Sequence, residues 1–296
     1  MARTGTGSRQ RAARALEQFT PATRAWFASA FGAPTLVQEA AWDVIRGGEC
    51  ALVIAPTGSG KTLAAFLHAI DRLFAEKDDA AAAATGAATR VLYISPIKAL
   101  GADVQRNLRL PLDGVGAQRS RRGDPAVEIT VGMRTGDTPG AQRAALLRRP
   151  PDILITTPES LYLMLTSKAR ETLRGVRTVI VDEVHAVAGT KRGSHMALSL
   201  ERLDALLDRP AQRVGLSATV RPVDRVAAFL GGARPTTVVN PPAGRRLELR
   251  IVVPVQDMAD IPARDESGTA GSIWPHVEAS ILEQVLSRRS TIVFAN

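Results

Sequence analysis

Residues 55–62 read Ala-Pro-Thr-Gly-Ser-Gly-Lys-Thr and stand between an apolar run, Ala51–Ile54, and an amphipathic stretch, Thr62–Phe74. A turn that leaves a buried strand and opens a helix aims backbone N–H groups outward at the positive end of the helix dipole, which makes an anion site. Gly58 and Gly60 let the backbone wrap a phosphate closely, with Thr57 and Ser59 completing the loop. Lys61 is placed to reach the outer phosphates of a nucleotide and the Thr62 hydroxyl to ligate Mg²⁺. Ala55 replaces the first glycine of the general pattern. The bland alternative, a glycine-bearing turn with no ligand, does not explain a lysine and a threonine at the helix start.

Such a loop needs a sheet to hold it. Further apolar runs lie at Val91–Ser95, Ile129–Val131, Ile153–Thr156, Val179–Asp182, Val214–Ser217 and Thr236–Val239. Helical patterns fall between most of them, including Ala141–Arg148, Glu159–Leu165 and His195–Leu207. The alternation predicts an α/β fold, a mostly parallel sheet with helices on both faces. Two stretches break the rhythm and are expected as loops: the alanine-rich segment 78–89, and residues 109–125 with Arg109, Arg119, Arg121 and Arg122 as a basic, solvated loop.

The second half of a nucleotide site is Val-Ile-Val-Asp182-Glu183-Val-His185, an apolar strand that ends in two carboxylates. Ligands of open α/β sheets sit at the C-terminal ends of the strands. Asp182 suits the Mg²⁺ shell and Glu183 the orientation and deprotonation of an attacking water. Upstream of the loop, Phe31-Gly-Ala-Pro-Thr-Leu-Val-Gln38 places an amide able to read the N6 and N7 edge of adenine, which points to ATP. Ser217-Ala-Thr219 follows another apolar strand, and Ser-Pro-Ile-Lys98-Ala-Leu follows the run at 91–95.

The order of these motifs resembles a superfamily 2 helicase, with Asp-Glu-Val-His at 182–185 as its box. Within that group Ile-Lys-Ala-Leu at 97–100, Arg-Thr-Gly-Asp-Thr-Pro at 134–139, the run 150–161 and the closing Thr-Ile-Val-Phe-Ala-Asn at 291–296 look like the large helicase-related (Lhr) family. The resemblance covers residue 20 onward and implies a RecA-like domain that binds ATP and Mg²⁺ through Gln38, Lys61, Thr62, Asp182 and Glu183. It implies that His185, Ser217 and Thr219 couple hydrolysis to strand movement. It further implies 3′-to-5′ movement on single-stranded DNA, unwinding of DNA or RNA:DNA duplexes, and a place in DNA repair.

Three segments that each end a strand and begin a helix or turn suit a nucleic-acid backbone: Lys98 in 96–101, Arg134 in 134–138, and Thr157 in 157–160. Arg134 as a solvated loop residue and Thr157 as a helix cap are the plain alternatives. A charge of +9, from 38 basic against 29 acidic residues, fits a polyanionic partner, with 33 of the basic residues arginine. Apolar content of 45% excludes a disordered chain. No run reaches the roughly 18 apolar residues of a membrane span, and the single Cys50 cannot form an internal disulfide. These features fit a cytoplasmic protein with no membrane partner. Trp26 and Trp42 are expected in the core or supporting the motifs, and Trp274 in the core, with stacking on a base as its alternative.

The domain reading is a flexible basic tail at 1–18, an ATP-binding domain at 19–243, and a linker with the start of a second RecA-like domain at 244–296. In that last part Leu247–Val253 and Thr291–Phe294 read as strands around a helix at Trp274–Leu286. A Gly-Arg-x-Gly-Arg element, from which a second domain supplies arginines to the γ-phosphate, is absent from these 296 residues. The 296 residues alone are therefore expected to hydrolyse ATP slowly and not to unwind. An ATP-switched nucleic-acid-binding module without translocation is the alternative. A transporter-type or kinase-type loop protein leaves 134–139, 157–161 and 217–219 unexplained, and DNA against RNA is not legible.

Overall fold

The computed structural model describes residues 11, 13–78, 88–218, 220–242, 248–255 and 272–294. The chain falls into two compact units, Met1–Ala243 and Gly244–Asn296. In the first, helices α1 (Pro21–Phe31) and α2 (Leu36–Arg46) precede β1 (Cys50–Ile54) and α3 (Lys61–Asp78). Then come β2 (Val91–Ile94), α4 (Lys98–Arg121), β3 (Val131–Arg134), α5 (Gly140–Arg148), β4 (Ile153–Thr156) and α6 (Pro158–Leu165). The unit closes with β5 (Thr178–Val181), α7 (Val184–Val187), α8 (Lys191–Leu206), β6 (Gln212–Ser217), α9 (Val223–Gly231) and β7 (Thr236–Val239).

All seven strands pair in parallel in the order β3-β4-β2-β5-β6-β1-β7. The pleat divides each strand between two cores. Ala51, Val53, Val91, Tyr93, Ile153, Ile155 and Ile180 face a layer built on Phe27, Trp42, Phe66 and Ile70. Leu52, Ile54, Leu92, Ile94, Leu154, Val179 and Val181 face the opposite layer of Leu161, Met196, Leu200 and Leu230. Burial on both faces explains why β1, β2, β4 and β5 read as unbroken apolar runs. Because every strand is parallel, every C-terminal end lies on one edge.

Several expectations need correction. The strand expected at Ile129–Val131 lies later, at Val131–Arg134, so Arg134 is the last residue of a strand. The basic loop expected at 109–125 is helical as far as Arg121, with Pro111 inside α4. Gly114 signals contact there rather than a loop: a Cβ would stand 2.0 Å from Trp26 Nε1. Arg119 is buried rather than solvated, pairing with Asp78 at 2.6 Å and lying over the Phe74 ring. Within the stretch expected as a flexible tail, residues 13–17 are helical and Ala15 packs in the core. The alanine-rich segment lies mostly outside the described residues.

In the second unit the helix α10 (Trp274–Leu286) forms as expected. Residues 248–253 and 291–294 are irregular, and Phe294 is 91% exposed. A strand exists only through ladder hydrogen bonds to a neighbour, and no ladder joins these segments among the described residues. Trp274, expected in the core, is 65% exposed. No described helix is long and apolar enough to cross a membrane.

Candidate functional site

The loop at 55–62 takes the shape its glycines permit, with φ of 79° at Gly58 and 84° at Gly60. That left-handed backbone suits glycine and strains residues carrying a Cβ. At Gly60 there is also no room: a Cβ would stand 2.6 Å from Gln38 Nε2. The first turn of α2 is tied onto this loop. Thr35 and Gln38 form a reciprocal cap, in which the Thr35 N–H donates to Gln38 Oε1 at 2.9 Å. Gln38 Nε2 then donates to the Gly60 carbonyl at 3.4 Å, and the Thr35 hydroxyl to the Ser59 carbonyl at 3.0 Å.

Lys61 opens α3 and is only 7% exposed. Its ammonium donates to the Ala55 carbonyl at 3.2 Å and forms no salt bridge among the described residues. A buried cation facing one neutral acceptor is strongly favoured by an incoming anion.

Across β6 from the loop, Asp182 follows directly on β5, its N–H bonded to the Ile94 carbonyl at 2.9 Å. Asp182 is 6% exposed. Its Oδ1 accepts from the Glu183 N–H at 2.9 Å and its Oδ2 from the Tyr93 hydroxyl. Burial, then the charge and hydrogen bond of Asp182, pushes the Tyr93 phenol far up, so it remains a donor. Glu183 is the one residue other than glycine with positive φ, at 45°, among the described residues. Left-handed backbone strains a residue that carries a Cβ, and such strain gathers at functional positions. His185 Nδ1 lies 3.3 Å from Glu183 Oε2 and 3.2 Å from Ser217 Oγ.

Gly58, Gly60, Lys61, Thr62, Asp182 and Glu183 line one cavity of about 720 Å³, and Gln38 and Thr57 line it too. The loop and the acid pair thus share a space, and their donor set (an ammonium, a hydroxyl and two carboxylates beside loop N–H groups) fits a magnesium nucleotide.

The expected strand-contacting residues lie on the other half of the same edge. Arg134 ends β3 and Thr157 follows β4, with the Thr156 hydroxyl donating to the Arg134 carbonyl at 2.8 Å. Lys98 begins α4, after β2; its side chain lies outside the described residues. Arg134 is half-buried, and burial and the nearby Arg143 lower its pKa. Thr157 caps α6, accepting from the Ser160 N–H at 3.4 Å. Thr219 lies outside the described residues. Along the edge the strand order gives Arg134, Thr157 and Lys98, then Asp182, Ser217 and the loop.

Tyr93 escaped the sequence reading because its role depends on which strand neighbours β5. The available signal was slight: one hydroxyl in the apolar run Val-Leu-Tyr-Ile. Glu159 was likewise passed over; it pairs with Arg192 at 2.5 Å and holds α6 to α8.

Comparison with known proteins agrees with this geometry. Residues 35–226 match the DEAD/DEAH box helicase family. The chain is 64% identical over 286 residues to the Lhr helicase/uracil glycosylase of Escherichia coli strain K12, covering 94% of this chain and 19% of that protein. It is 40% identical to the ATP-dependent helicase Lhr-Core of Methanothermobacter thermautotrophicus, over 92% of this chain and 31% of the relative. The solved structure of Mycobacterium smegmatis helicase Lhr bound to ssDNA and AMP-PNP superposes with a TM-score of 0.77 at 59% identity, covering 95% of this chain and 34% of that one. The chain therefore spans a fifth to a third of the length of these relatives.

Proposed function

Because this chain belongs to the DEAD/DEAH box helicase family and is similar to Lhr helicases along nearly its whole length, we propose that it is the nucleotide-binding half of an ATP-dependent nucleic-acid helicase. The observation that carries the proposal is the shared cavity, in which the buried Lys61 and the acid pair Asp182–Glu183 meet. Thr62 and Asp182 would hold Mg²⁺, which neutralises charge on the phosphates when bound. Lys61 and the loop N–H groups bind the triphosphate, Gln38 selects adenine, and Glu183 orients water and takes its proton. Glu183, His185 and Ser217 form a chain of contacts from the end of β5 to β6, and with Thr219 they couple hydrolysis to strand movement. Lys98, Arg134 and Thr157 hold the phosphate backbone of a single strand, without reading its sequence. Movement 3′ to 5′ and unwinding of DNA or RNA:DNA duplexes belong to the longer protein.

Arginines contributed from outside such a site raise rates by about 10³–10⁵, so these 296 residues alone hydrolyse ATP slowly and leave duplexes intact. ATPase assays of the chain with and without single-stranded DNA test this. The expected result is slow turnover that disappears in Lys61→Ala and Glu183→Gln. Rapid DNA-stimulated turnover refutes the assignment of a half-site, and turnover unchanged in both variants refutes the site.

A further inference from the structure

The Tyr93 side chain is fully buried, with its ring tilted against Phe66 at 5.3 Å between centroids. A phenylalanine would fill the same volume without a polar atom, and a buried hydroxyl left without a partner is destabilising. Here the hydroxyl is spent on one acceptor of the nucleotide site, Asp182 Oδ2, while the Glu183 N–H holds Oδ1. Register explains the meeting: Tyr93 pairs with Ile180 and Ile94 with Val181 across β2 and β5, so Asp182 comes next along the edge. The two donors come from β2 and from the turn after β5, and take one lone pair on each oxygen. They fix the rotation of the carboxylate about its Cβ–Cγ bond and leave one lone pair on each oxygen for a further partner.

We infer that Tyr93 is a positioning residue for the divalent cation, holding the Asp182 carboxylate in the orientation that receives magnesium before nucleotide arrives. This rests on the assignment of Asp182 to the cation given above. Donors that orient a metal-binding carboxylate are worth about 10–100-fold in metal affinity or activity. Tyr93 donates no hydrogen bond to the phosphate loop among the described residues, so it acts on the cation and not on the nucleotide directly.

The test is a fluorescence titration of the 296-residue chain with a fluorescent ATP analogue (the N-methylanthraniloyl derivative), first in EDTA and then with rising MgCl₂. In Tyr93→Phe the magnesium midpoint rises about tenfold or more, and binding in EDTA stays within twofold of the unsubstituted chain. In the Asp182→Asn background, adding Tyr93→Phe moves the midpoint no further. A Tyr93→Phe midpoint within twofold of the parent, while Asp182→Asn shifts it, overturns the inference and leaves the nucleotide site standing. No shift in Asp182→Asn overturns both.

A second measurement does not depend on the folding of Tyr93→Phe. The chain has two tyrosines, so Tyr162→Phe with 3-fluorotyrosine labelling gives one ¹⁹F resonance, from position 93. That resonance moves when magnesium joins the bound analogue and stays fixed in Asp182→Asn. An unmoved resonance at saturating magnesium and analogue contradicts the inference.

Discussion

The two edges of the sheet carry cavities of nearly equal volume, about 720 Å³ at the C-terminal ends and about 730 Å³ at the N-terminal ends, yet their charges are arranged in opposite ways. At the N-terminal edge Asp152 accepts from Lys77 Nζ at 2.8 Å, the Thr130 N–H at 2.7 Å and the Thr130 hydroxyl at 2.8 Å. Glu76 there pairs with Arg177. Near the same end, Arg213 is 1% exposed and meets Asp204 at 2.7 Å and Glu201 at 3.0 Å. At the C-terminal edge Lys61 has no carboxylate partner and Asp182 no cation among the described residues. One edge spends its charges on holding strands and helices together. The other leaves Lys61 and Asp182 without a charged partner among the described residues, the complement of a ligand carrying both phosphate and metal. Volume alone does not distinguish the two; the pairing of charges does.

Substitutions should separate the edges cleanly. Glu183→Gln lowers ATP turnover by about 10²–10⁴-fold, the range for loss of a positioned general base, while the thermal midpoint stays within a few degrees. A large fall in midpoint would mean the C-terminal acids are structural after all. Arg213→Met does the reverse. It removes the buried guanidinium that Asp204 and Glu201 share, leaving Asp204 the partly exposed Arg234 at 3.0 Å, and costs about 3 kcal/mol in urea unfolding, the low end of the range for breaking a buried ion pair. Nucleotide affinity of the protein that remains folded is unchanged. Asp152→Ala removes the acceptor of three donors and costs about 2 kcal/mol, read the same way, again without effect on nucleotide binding.

The smallest effect is at Glu159, on the first turn of α6 beside Thr157. The hydrogen bond from Arg192 is the main cause holding its carboxyl down at about 2, from an ordinary 4.5. A depressed carboxyl stabilises the fold above its unfolded pKa, so this contribution is fully present above about 4.5 and fades as the pH falls toward 2. The pair is half exposed and solvent-screened, so Glu159→Gln costs less than about 1 kcal/mol at neutral pH. Acid-unfolding curves of the two proteins should converge only as the pH falls to about 2, and curves that stay apart there would assign the effect to packing.

What the sequence disclosed follows the range of the interactions involved. The strands at 51–54, 91–94, 153–156, 179–181 and 214–217 were legible because a parallel strand buried on both faces is apolar throughout. The loop was legible because its residues are contiguous and their roles local. Strand β3 was misplaced because it is an edge strand, half-exposed, with glycine in the middle. Helix α4 was hidden because Pro111, Gly114 and Gly116 read as loop signals, whereas Gly114 answers to Trp26, far away in sequence. Tyr93 and Arg213 were beyond reach for the same reason, since their partners are set by strand order and helix packing. The segments 248–253 and 291–294 have the composition of strands but lack a neighbour to pair with among the described residues.

The account stands on one claim, that the loop at 55–62 and the acids at 182–183 close around a single magnesium nucleotide. A crystal structure of the chain grown with AMP-PNP and Mn²⁺, with anomalous scattering used to place the metal, tests it directly. The account predicts one anomalous peak between the Thr62 hydroxyl and Asp182, with the triphosphate over Gly58–Lys61. A peak in the cavity beside Lys77 and Asp152, or a triphosphate out of reach of Lys61, would contradict it.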